Sequence, residues 1–192
     1  MKINKIIIMT FVSLLLISGC GDKENTEENN ISNSKKSMSE IFNVKTTTGK
    51  DITIIIKKEA WEFKGLEDKV ILLNFFGTWC VPCKAEIPHL NIIKSKLKKD
   101  FEILAVDLGV RGGGLNSQEH LNNFIQEFNI TYPIITGEFA GEIFATVSEF
   151  NPSGLIPFMV LFNKKGQAVE YYLGMTPEEM LFHDITSTIK MN

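Results

Sequence analysis

Cysteine is scarce in this chain, at three residues in 192. Cys80 and Cys83 stand three apart, and Cys20 lies far upstream. One close pair cannot staple an exported domain as four to eight cysteines do, so a disulfide scaffold is excluded. Histidine is as sparse. His89, His120 and His183 are scattered, whereas a zinc site built on C-x-x-C needs a second such pair or two suitably spaced histidines. A basic excess is missing too: 20 Lys and Arg face 23 Asp and Glu, for a formal net charge of −3, which argues against a nucleic-acid partner. No internal repeat is visible. With 44% hydrophobic and 22% charged residues, the composition suits one globular domain plus an extension.

The N-terminus reads as an export signal rather than as part of the fold. Lys2 and Lys5 precede an apolar run, Ile6 to Ile17, that is short for a membrane span, and Ser18-Gly19 offers a small-residue cleavage site. Loss of this segment removes two lysines and no acids, taking the formal net charge from −3 to −5. Ile17-Ser18-Gly19-Cys20 resembles a bacterial lipobox, in which the cysteine becomes the lipidated first residue of the mature protein. Gly21 to Ser39 is polar with only Ile31 and Met38 as sizeable apolar residues, too few to order it. The expected organisation is a signal peptide over 1–19, a lipidated N-terminus and disordered tether over 20–39, and an α/β domain over 40–192. A flexible tether of this length reaches about 25 Å on average.

The stretch that organises the domain runs from Val70 to Pro88. Val70-Ile71-Leu72-Leu73-Asn74-Phe75-Phe76 is a nearly continuous apolar run, as expected of a strand buried on both faces. The pattern then turns helical, with Cys83, Ile87, Leu90 and Leu97 at one-turn and two-turn spacings. Cys80 falls at the helix N-terminus, where unpaired N–H groups and the dipole favour a thiolate, and this marks it as the nucleophile. Cys83 lies nearly one turn on, roughly 5 Å away between Cα atoms, within disulfide range. Pro82 has no N–H to donate, which suits a first helical turn and leaves Cys80 with the exposed end. Half of a zinc site and a purely structural bridge are the competing readings of the pair.

Around this core the chain alternates. Residues 41–46 and 52–56 read as a hairpin across Thr47-Thr48-Gly49-Lys50-Asp51, and 60–69 as a lead into the central strand with Trp61 and Phe63 as packing. Phe101 to Val106 is a second buried strand, parallel to the first. Its following loop, 107–116, should border the cysteines at the carboxyl edge of the sheet; its Gly112-Gly113-Gly114 does not fit a phosphate-binding G-x-G-x-x-G. Asn116 with Glu119 suggests a capping box for a helix over 117–129. Tyr132 to Ile135 reads as a strand, 138–150 as a helix, Ile156 to Phe162 and Ala168 to Leu173 as a hairpin, and Thr176 as the cap of a closing helix.

These pieces resemble the thioredoxin fold, and Asn74-Phe75-Phe76-Gly77-Thr78-Trp79-Cys80-Val81-Pro82-Cys83-Lys84-Ala85-Glu86-Ile87-Pro88 resembles the TlpA/ResA branch of membrane-tethered thiol-disulfide oxidoreductases. The resemblance spans about residues 40–190. It implies a central mixed sheet flanked by helices with an N-terminal hairpin extension. It also implies a cis bond at Pro157 facing the dithiol, with the backbone of Ile156 as an edge where substrate pairs beside Cys80, Trp79 and Pro82. Glu86 matches the branch's helix carboxylate, a proton relay if buried; Pro88 matches its kinking proline. Asn74 departs from the buried aspartate of thioredoxins, so proton handling falls on Glu86 or water. The implied reaction is reduction of protein disulfides, such as apocytochrome c, by Cys80 and Cys83 with no cofactor beyond their redox-active disulfide. A membrane thiol reductant supplies electrons, outside the cytoplasm, at the periplasmic side or the outer face of the cell membrane. An alternative is Cu(I) handling by the two soft thiolates, although no further His or Met ligand stands at obvious spacing.

Overall fold

A computed structural model describes residues 39–191. The expected signal segment, the lipidation position Cys20 and the tether up to residue 38 lie outside the described residues.

The apolar run from Val70 becomes the middle strand of the larger sheet. The elements begin with β1 (Glu40–Lys45), β2 (Asp51–Ile56), β3 (Trp61–Lys64), β4 (Val70–Phe76), α1 (Val81–Leu97), β5 (Phe101–Asp107), α2 (Gln118–Glu127) and β6 (Ile134–Ile135). The chain closes with α3 (Phe139–Ala145), β7 (Phe158–Phe162), β8 (Ala168–Leu173) and α4 (Glu178–Lys190). Five strands form a mixed sheet in the order β6-β5-β4-β7-β8, with β4 parallel to β5 and antiparallel to β7. All seven residues of β4 are buried because both of its faces are covered. Val70, Leu72 and Phe76 pack with Leu90 and Ile93 of α1 and Leu181 and Ile185 of α4. Ile71, Leu73 and Phe75 on the opposite face meet Phe42, Ile52, Ile54 and Phe63 of the N-terminal strands and Ile143 of α3.

The N-terminal extension is larger than a hairpin. Residues 61–64, read from the sequence as a lead into β4, form a third strand paired antiparallel to β2. Alternation in Trp61-Glu62-Phe63-Lys64 is short, and the side chains rather than the pattern secure it: Trp61 and Phe63 both pack against Phe162. Helix α3 stops at Ala145, five residues before the expected end, and the chain continues as turns to Asn151. Ser117 caps α2 by accepting the His120 N–H, so Asn116 is not the cap. Pro177, not Thr176, occupies the cap position of α4, without a side-chain bond.

The small sheet is joined to the large one by a close backbone approach at the β7–β8 turn. Trp61 N–H donates to Gly166 O at 2.7 Å, and a Cβ on Gly166, whose φ is +75°, would lie 1.7 Å from the Trp61 carbonyl oxygen. Gly49 has a similar φ of +78° with no atom within 4 Å of such a Cβ. Gly49→Ala therefore carries only the backbone penalty, about 1 kcal/mol, whereas Gly166→Ala should cost about 3 kcal/mol because backbone must shift as well. Urea unfolding of the two variants measures the difference; equal losses would show that the approach at Trp61 is not tight.

Candidate functional site: the cysteine pair at the end of the central strand

The registers bring four connections to one edge of the large sheet. Phe76 pairs with Asp107, Phe75 with Phe158, and Phe158 with Leu173, so the loops after β4, β5 and β8 and the segment before β7 share that edge. After Phe76 the chain turns sharply, with Cys80 N–H donating to Gly77 O at 2.9 Å. Trp79 folds back over Gly77, where a Cβ would stand 2.8 Å from the indole. The turn thus requires the glycine, and it delivers Cys80 as the cap residue of α1.

Cys80 and Cys83 are joined, with sulfurs 2.01 Å and Cα atoms 5.2 Å apart. Cys83 N–H, one of the donors that a first helical turn leaves unpaired, points at Cys80 Sγ at 3.2 Å. Pro82 sits in that turn with no N–H to contribute and its ring exposed. The expectation that Cys80 has the exposed end does not hold: it is 4% accessible and Cys83 3%. What covers Cys80 is the segment before β7, where the Ile156–Pro157 bond is cis and Ile156 O lies 3.8 Å from Cys80 Sγ. Pro157 is buried and Ile156 half-buried, while Trp79 stays 40% exposed beside them.

Glu86 follows one turn after Cys83 on the buried face of α1 and is 1% exposed. Its Oε1 accepts the Thr176 N–H at 3.2 Å, and its Oε2 has no hydrogen-bond partner in the protein. Burial pushes its carboxyl up to about 7, against the opposing pull of the Thr176 N–H and nearby His89. Thr176, expected to cap α4, turns its hydroxyl to Gly174 O at 3.4 Å while its N–H goes to Glu86. Asn74 is buried with its Oδ1 likewise unpartnered, and as an amide it cannot exchange a proton with either sulfur. A cleft of about 270 Å³ opens beside Glu86, lined also by His89, Met175, Pro177 and Glu178.

Sequence reasoning missed a second buried carboxylate. Asp107 ends β5 at the level of Phe76, and both of its oxygens accept from Asn116 Nδ2 at 3.0 and 2.9 Å while Oδ1 also takes the Gly109 N–H at 3.2 Å. Burial raises its pKa, with these bonds and His120 acting in the opposite direction. Asn116 Nδ2 also reaches Thr78 Oγ1 at 3.3 Å, and His120 Nε2 lies 3.0 Å from the same hydroxyl. The residue two before Cys80 is thereby tied to the β5–α2 loop. The available signal was an acid directly after the apolar run Ile103 to Val106. Among the described residues no group of three or more His, Cys, Asp or Glu is gathered to hold a metal.

Two joined sulfurs at a helix start, opposite a cis-proline, are the arrangement of a thiol-disulfide oxidoreductase. A family model described as Thioredoxin-like matches residues 68–168, more than half of the chain, and the chain belongs to that family. Its relatives include the thiol-disulfide oxidoreductase ResA of Bacillus subtilis (strain 168), 29% identical over 98% of this chain and 96% of that one. A ResA of Bacillus cereus is 32% identical over 62% of this chain, a match that spans 64% of that relative's length. The crystal structure of StoA from Bacillus subtilis shares the fold, with a TM-score of 0.56 at 24% identity over 77% of this chain and 97% of StoA.

Because Glu86 binds its proton more tightly folded than unfolded, the stability it contributes is complete below pH 4.5 and is lost as pH rises through about 7. The total is about 3 kcal/mol. Glu86→Gln keeps an acceptor for Thr176 and cannot ionise, so between pH 4 and 8 its unfolding free energy should fall by about 3 kcal/mol less than that of the parent. The same pH slope in both proteins would contradict the burial of this carboxyl.

Proposed function

We propose that the chain reduces protein disulfides outside the cytoplasm, with Cys80 as the attacking thiolate, Cys83 as the resolving thiol and Glu86 as their proton partner. The observation that carries this reading is the Cys83 N–H aimed at Cys80 Sγ, which in the reduced protein becomes a charge-assisted bond to a thiolate and favours its formation at Cys80.

The reaction divides into two exchanges. Cys80 thiolate attacks one sulfur of a substrate disulfide; that bond breaks, a mixed disulfide forms, and the other substrate sulfur leaves as a thiolate. Cys83 then gives up its proton, for which Glu86 at about 7 is a suitable acceptor near neutral pH, and attacks Cys80 Sγ. The mixed disulfide breaks, the second substrate thiolate leaves, and the Cys80–Cys83 bond closes. Two electrons have passed to the substrate, whose thiolates take up protons. Ile156 offers its carbonyl beside Cys80, an edge against which an extended substrate backbone can pair, with Trp79, Pro82 and Pro157 around it.

Val81 and Pro82 place no cation or histidine between the cysteines, which favours a reductant over a strong oxidant. A reductant must be recharged, and a membrane dithiol that donates two electrons to the Cys80–Cys83 bond fills this role. The signal-like segment over 1–19 and the lipobox-like Cys20 support attachment to a membrane. Among the described residues no helix is long and apolar enough to cross one. Apocytochrome c, whose haem-attachment cysteines must be reduced, is the substrate the family resemblance suggests. The Cu(I) reading gains no observation: among the described residues no group of three or more His, Cys, Asp or Glu is gathered.

Cys83→Ser removes the resolving thiol, so substrates should accumulate as mixed disulfides on Cys80 and be released by dithiothreitol. Alkylation of the reduced protein should follow a pKa well below the ordinary cysteine value of about 8.5. Absence of mixed disulfides, or a titration at the ordinary value, would sink the exchange reading.

A further inference from the structure

Arg111 is the single arginine among the chain's 20 Lys and Arg residues, and it lies on the β5–α2 loop at the cysteine edge of the sheet. Its guanidinium stands 5.5 Å from the centroid of the Trp79 ring. That ring is itself fixed, because its Nε1–H donates to Gly109 O at 3.1 Å and its back rests on Gly77. Stacking on an aromatic face leaves the in-plane N–H fork of an arginine free, unlike a lysine, whose charge is a point on a mobile stem. Arg111 is exposed and has no ion pair or hydrogen bond with another described residue.

No carboxylate of the described residues closes an ion pair with Arg111. The first turn of α1 contains no acid, and the carboxylate closest along the chain, Asp107, is buried and turned to Asn116 Nδ2 and the Gly109 N–H. The exposed side chains at the same edge include the apolar Val81 at the start of α1 and Val110, Leu115 and Leu155 on the loops. A planar cation on an aromatic plate within an apolar rim fits a carboxylate flanked by apolar residues.

We propose that Arg111, held on Trp79, is a specificity-determining residue that pairs with an Asp or Glu side chain adjacent to the target cysteine of a substrate protein. This rests on the disulfide-exchange reading above. The whole chain carries a formal charge of −3, so its overall field favours the opposite choice, a basic substrate. A preference for acid would therefore be local to Arg111.

The test uses the reduced full-length protein and three peptides that carry the same disulfide in an apolar segment, with Asp, Asn or Lys next to the attacked cysteine. The Asp peptide should react about fivefold faster than the Asn peptide, as an exposed ion pair allows, and the Lys peptide more slowly than either. High salt should compress these ratios. In Arg111→Gln the Asp-to-Asn ratio should fall to about one, in Arg111→Glu it should invert, and Arg111→Lys should restore part of it. Equal rates for the three peptides, or a ratio that Arg111→Gln leaves intact, overturns the assignment of Arg111 while the exchange reading stands. No reaction with any peptide overturns both.

Discussion

The site depends on the enclosure of β4. A strand covered on both faces has no room to bend, so it leaves the sheet only at its end, and there the chain must turn within a few residues. Gly77 permits that turn by making room for the Trp79 ring, and Cys80 arrives as the cap of α1 with its sulfur against the helix's own unpaired N–H. Burial of Phe75 and Phe158 with the half-buried Phe144 on one side, and of Leu72 and Leu90 on the other, holds the strand and helix that present the two sulfurs. The reactive geometry is thus inherited from apolar packing several residues away.

Glu86 is set apart by scarcity of protein partners. A buried carboxyl with one N–H donor is poised between its two states near neutral pH, where further donors would favour the charged form. Asp107, also buried and with its pKa also raised by burial, has more donors, from Asn116 and Gly109, and is tied through Asn116 to Thr78.

The parts that could be read from the sequence were those with a local cause. The double-faced strand, the cysteine helix, the parallel neighbour β5 and the Lys164-Lys165-Gly166-Gln167 hairpin all declare themselves by periodicity or turn residues. β3 escaped because four residues give too short an alternation, and what fixes it is contact with Phe162, far along the chain. The near-equal burial of Cys80 and Cys83 escaped for a similar reason: the covering segment at Ile156 comes from a distant part of the chain. Asn116 and Thr176 have capping chemistry, yet the Asn116 amide turns to Asp107 and the Thr176 hydroxyl to Gly174 O.

The bond from Thr176 to Glu86 joins residues ninety positions apart. The loop between β8 and α4 therefore reaches, from a distance, a buried carboxyl on the helix of the two cysteines. Changes of length or sequence there, on a segment that carries no sulfur of the pair, can move the pH at which Glu86 ionises while the Cys80–Cys83 turn stays as it is.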